Sequence, residues 1–169
     1  HLLNQFAMSE HEGHLRVATT LGGPWGFSDD SESKVTILIR NDSNLEIVGE
    51  VGDMGRGERI FSVRFVGDVG YIVTFRQTDP FYTVDLSDPT NPVVRGELKI
   101  TGYSGYLHPI SDDLVLGIGQ DATETGQTTG AKVTLFDVSD LNQPTAVDSW
   151  TASGGSSSVE WDHRAFLWW

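Results

Sequence analysis

The chain has 169 residues, 38% of them hydrophobic, which is enough for one domain with a real core. Its 24 acidic and 11 basic residues leave a net charge of −13, a surface that repels phosphate backbones and anionic lipid and so excludes nucleic acid as a partner. There is no cysteine, hence no disulfide, thiolate zinc site or cysteine nucleophile, and no run of 18 apolar residues for membrane insertion.

In chain order the elements are short strands between polar turns, and no window sustains a helical period. The first unit, 2–52, reads as strands at 3–8, 15–20, 35–40 and 45–51. Its insertion, 21–33, carries Pro24, Trp25 and the acidic residues Asp29, Asp30 and Glu32. The second unit, 61–100, reads as strands at 62–66, 69–76, 81–86 and 93–100. The third, 103–152, reads as strands at 106–110, 114–119, 132–138 and 145–151, with a polar loop at 120–131. A partial fourth unit, 157–169, reads as a strand pair at 159–163 and 164–169.

These units repeat. Asp85-Leu86-Ser87-Asp88 returns 52 residues later as Asp137-Val138-Ser139-Asp140, and Gly49-Glu50 precedes Gly96-Glu97 by 47. Asp and Asn side chains satisfy turn backbone and Pro fixes φ, so these segments are turns with a mechanism. A period of roughly 45–50 residues made of short strands is the mark of propeller blades. The expected fold is all-β: three four-stranded antiparallel blades plus a partial fourth, within a larger propeller, because three and a half blades do not close a ring. Neighbouring blades should cover the strand runs 71–75, 114–118 and 133–136 on both faces.

Metal motifs are weak. His11-Glu12-Gly13-His14 spaces its histidines by three on a β-turn, where a zinc protease needs four on a helix. The Asp85, Asp137 and Asn41-Asp42 turns lack the ladder, central Gly and distal Glu of a calcium loop. The acidic run at 29–32 reads as a solvated loop. No metal and no cofactor is expected.

The informative polar set is Arg64, Arg76, Asp79, His108 and His163. Arg64 and His108 lie in first strands of successive units, and His163 follows the next. First strands line a propeller's central channel, so these side chains should converge there, with Arg76 and Asp79 framing the rim. Arg offers a planar fork for carboxylate or phosphate, and a tuned His with Asp79 would allow acid–base work. Among the tryptophans, Trp25 sits in an insertion, free to touch a partner. Trp150 and Trp161 are expected in the inter-blade core, and Trp168 and Trp169 under the remainder of the last blade.

Asp85-Leu86-Ser87-Asp88-Pro89-Thr90-Asn91-Pro92, Tyr106-Leu107-His108-Pro109 and Asp162-His163-Arg164-Ala165-Phe166 carry a resemblance, as do segments 3–10, 15–20, 57–65 and 73–80. Together they resemble secreted proteins with a C-terminal β-propeller domain, distantly related to WD40 repeats. The likeness covers nearly the whole chain and is weakest in the two insertions. It implies an exported prokaryotic protein at or beyond the cell surface, whose export signal lies outside this sequence. It implies architecture and address, and no settled activity.

The leading expectation is therefore a non-enzymatic extracellular binding or scaffold module presenting rim loops to a protein or surface polymer. The alternative is an enzyme with an Arg/His site at the channel mouth, and a third reading is a structural spacer. The apolar end, Leu167-Trp168-Trp169, leads us to expect self-association through an open C-terminal edge.

Overall fold

The computed structural model describes residues 1–22, 29–76 and 79–169, without the side chain of Asp79. Twelve described strands form three sheets, each a four-stranded antiparallel meander taken in chain order. The first sheet holds β1 (Met8–His11), β2 (His14–Leu21), β3 (Glu32–Asn41) and β4 (Asn44–Met54). The second holds β5 (Arg59–Val66), β6 (Val69–Phe75), β7 (Asp79–Asp85) and β8 (Val93–Ile100). The third holds β9 (Tyr103–Pro109), β10 (Leu114–Ala122), β11 (Thr128–Asp137) and β12 (Thr145–Thr151).

The repeated turns are chemically the same turn. Asp85 Oδ1 accepts from the Ser87 amide at 3.0 Å and the Ser87 hydroxyl at 2.7 Å. Asp137 Oδ1 does the same for Ser139 at 2.9 and 2.7 Å. The Ser87 bonds, followed by the Arg95 guanidinium, hold the Asp85 carboxyl down at about 2. Each turn ends by docking on the preceding sheet. A Cβ on Gly49 of β4 would lie 2.3 Å from the Pro89 carbonyl oxygen, and one on Gly96 of β8 would lie 2.4 Å from that of Leu141. Only glycine admits such contact.

A β-bulge sits beside each docking glycine and at the matching place in β12. The register slips between Ile37 and Leu38 against β4, between Thr83 and Val84 against β8, and between Leu135 and Phe136 against β12. The extra residue in each outer strand increases its local twist, which turns the strand towards the next sheet's turn. In β12 the position corresponding to Gly49 and Gly96 is Asp148.

Two apolar layers join the sheets. Val35, Ile37, Met54, Ile72 and Val84 pack between the first and second. Tyr71, Val73, Phe81, Leu107, Val115 and Phe136 pack between the second and third. Phe81 and Phe136 stack with centroids 4.4 Å apart and planes at 9°, both fully buried.

Several expectations are corrected. Residues 71–75 are buried throughout, but β11 alternates: Thr134 and Phe136 are buried while Val133 and Leu135 are half-buried. Over this run β11 is thus packed on one face, whereas β10 is buried at the successive positions Gly117, Ile118 and Gly119. The strand expected at 3–8 begins at Met8, because the Asn4 side chain caps a 3-10 turn, Gln5–Ala7. The loop expected at 120–131 is largely an extension of the β10–β11 hairpin, which turns at 123–127.

The largest correction concerns 157–169, which forms two 3-10 turns, Ser158–Glu160 and His163–Ala165, and no strand. Ser157 and Glu160 make a reciprocal capping box, and Asp162 accepts from the Arg164 amide. These side chains satisfy the backbone locally, in competition with a sheet ladder. Trp150 and Trp161, expected in the core, are 62% and 69% exposed. Trp150 lies on β12, which is exposed along its whole length, and Trp161 follows the first capped turn.

Candidate binding site on the inner strands

The first strands β5 and β9 run beside each other on the inner side of the second and third sheets, with the 3-10 turn Gln5–Ala7 and the C-terminal turns laid against them. Arg64 of β5 reaches across to the next sheet, where its Nε donates to the Leu107 carbonyl at 2.9 Å. Its guanidinium carbon lies 3.9 Å from the centroid of the Phe6 ring and 5.1 Å from that of Tyr106. Such contacts stabilise a partly desolvated cation by about 0.5–2 kcal/mol each. Nη2 is buried without a hydrogen-bond partner. Burial lowers the Arg64 pKa from its ordinary value, opposed by the nearby Tyr106 hydroxyl.

His108 lies two residues beyond Tyr106 and therefore on the same face of β9. The two rings are stacked at 6.5 Å, and His108 also meets Phe166 at 4.8 Å and Trp168 at 5.7 Å. Burial, then the charge of Arg64, pushes the His108 imidazole below its usual pKa. His163 stands edge-on to Phe6 at 5.1 Å, and its Nε2 lies 2.9 Å from Gln5 Nε2. Arg64, His108 and His163 thus share one aromatic cluster through Phe6 and Tyr106.

The other expected residues stand elsewhere. Arg76 pairs with Asp29 at 2.7 Å at an exposed rim position. Asp79 opens β7, but its side chain lies outside the described residues, as does the whole of Trp25.

Beside the cluster opens a cavity of about 500 Å³ whose walls include Asn4, Gln5, Tyr106, Trp161, Asp162 and Arg164. Glu160 anchors its far wall: its carboxylate accepts from the Tyr103 hydroxyl at 2.7 Å and from Gln120 Nε2 at 2.9 Å. Burial, then the hydrogen bond it donates to the Glu160 carboxylate and that group's charge, raise the Tyr103 phenol well above its ordinary pKa. Phe6, Gln5 and Trp161 were missed as site residues in the sequence. The Ser157–Glu160 spacing of a capping box was the available signal for the last of them.

The description "Beta propeller domain" matches residues 1–169. An uncharacterized protein of Methanocaldococcus jannaschii is 49% identical over 168 residues, covering 99% of this chain and 26% of that protein. An uncharacterized protein of Archaeoglobus fulgidus is 47% identical over 166 residues, covering 98% of this chain and 24% of that protein. The chain spans about a quarter of the length of these curated relatives. With three consecutive four-stranded meanders and a match along its full length, the chain belongs to the β-propeller domain family.

Proposed function

We propose that this chain acts as an extracellular, cell-surface binding or scaffold module that offers its rim loops and inner-strand cleft to a protein or surface polymer. One observation supports this most: an open cavity of about 500 Å³ on the inner strands, within the usual range of roughly 300–1,000 Å³ for binding clefts. Glu160 in its wall ties the C-terminal turns to the third sheet, and Arg64 beside it ties the second sheet to the third. A rigid, pre-formed cleft suits binding. The enzymatic alternative has no comparable support: rings and a carbonyl surround Arg64 and His108, and no carboxylate of the described residues bonds to either.

The test has two parts. The native protein is followed by immunodetection through cell fractionation, and the purified chain is incubated with washed cell-envelope material. Recovery at the surface together with saturable retention on the envelope supports the reading. Recovery in the cytosolic fraction, or no retention, overturns it.

A further inference from the structure

The C-terminal turns hold Trp161 in an unusual position. Trp161 is 69% exposed, and its amide donates to the Ser158 carbonyl at 3.3 Å. Glu160, immediately before it, accepts from the Ser157 amide, Tyr103 and Gln120. Asp162, immediately after it, caps the next turn and pairs with Arg164 at 3.0 Å. The backbone on either side of this indole is held by its neighbours, so ligand stacking has to fix the side-chain rotamer and not the turn that carries it. Trp150 is the contrast: comparably exposed, it stands on β12 and lines none of the described cavities.

The chemistry around Trp161 narrows the ligand. Asn4 and Gln5 bring carboxamides, His163 an imidazole, and Asp162 with Arg164 a carboxylate and a guanidinium. All are planar groups, and together they mix donors with acceptors. Formal charges in the wall nearly balance, with Glu160 and Asp162 against Arg164, in a molecule of net charge −13. That field gives a polyanion no foothold. A hydroxyl-rich neutral ligand with one apolar face answers each feature: its C–H face lies on the negative face of the indole, and its hydroxyls both donate and accept.

We propose that this cavity is a carbohydrate subsite, taking one or two neutral pyranose units stacked on Trp161, with their hydroxyls bonded by Gln5, Asn4 and the Asp162–Arg164 pair. This rests on the reading of the chain as a binding module and names the ligand class for its cleft. The carbohydrate enters from the open side, and Phe6, Val63, Tyr106 and Leu107 line the cavity where it meets the inner strands.

Isothermal titration of the full chain tests the assignment, with cellobiose, maltose and diacetylchitobiose as neutral probes and polygalacturonate as an anionic one. At least one neutral disaccharide should bind. Trp161→Ala should weaken that binding by at least about tenfold and Gln5→Ala by a few-fold, while Trp150→Ala leaves it unchanged. Thermal melts confirm that each variant is folded; Trp161 and Trp150 are exposed, so both alanine variants should melt with the parent. Binding that Trp161→Ala leaves intact overturns the subsite. So does the absence of any neutral binding at about 10 mM probe. If neutral probes fail while envelope material is still retained, the subsite falls and the binding-module reading stands. If envelope retention fails as well, both fall.

Discussion

Strands β7 and β11 occupy the same place in the repeat, 52 residues apart, yet their burial differs. In β7 the run from Phe81 to Val84 is buried at every position, whereas the matching run from Val133 to Phe136 is buried only at Thr134 and Phe136. Local sequence is not the cause, since both runs are dense in strand formers and end in the same Asp–Ser turn. The cause is the neighbours. The second sheet lies between two others, joined to each through a glycine of an outer strand, at Gly49 on one side and at Gly96 on the other. Among the described residues no further sheet docks on the outer strand of the third, which carries Asp148 where those glycines stand. Blade identity is written in the repeat, but blade environment comes from the joints.

The largest effect expected from this contrast is at the shared core. Phe81→Ala removes the ring that stacks on Phe136 and should cost about 3–5 kcal/mol in denaturant unfolding. Leu135→Ala, on the open face of β11, should cost clearly less. Equal losses would mean that the third sheet's outer face is covered in solution.

Gly96→Ala comes next. Its Cβ would meet the Leu141 carbonyl oxygen and the Pro144 ring, neither of which can move aside cheaply, so a loss of about 1–3 kcal/mol is expected. Asp148→Ala, at the matching place in β12, should stay within about 0.5 kcal/mol. Similar values for the two would remove the glycine joint as the explanation for blade docking.

The smallest effect concerns pH. Burial, then the charge of Arg64, puts the folded pKa of His108 below its ordinary value of 6.5. As pH falls through that value the unfolded chain takes up the proton first, and stability declines. His108→Gln should flatten the unfolding free energy between about pH 7 and 5. An unchanged slope would place His108 in open solvent, outside the inner-strand cluster.

Much of the fold is legible in the residues. Asp85, Asp137, Pro92 and Pro144 mark turns by their own chemistry, and the end strands Val93–Ile100 and Thr145–Thr151 fall where alternation and turn boundaries place them. The C-terminal segment misleads because Val159, Trp161, Phe166 and Trp168 have strand propensity, while the capping side chains of Ser157, Glu160 and Asp162 favour turns locally. The site is half legible. Arg64 and His108 follow from their phase in the repeat, whereas His163 reaches the cluster from a 3-10 turn where a strand was expected. Phe6 and Tyr106, the rings that bring them together, carry no mark beyond being aromatic. Their role arises from β5 and β9 lying side by side, a tertiary fact.

The proposed subsite puts recognition in the inner-strand cavity and not on the outer strands. The indole N–H resonances of the chain's five tryptophans report on both at once during titration with the neutral disaccharides. A saturable shift of the Trp161 signal with Trp150 unmoved is expected. A shift of Trp150 with Trp161 unmoved would contradict it.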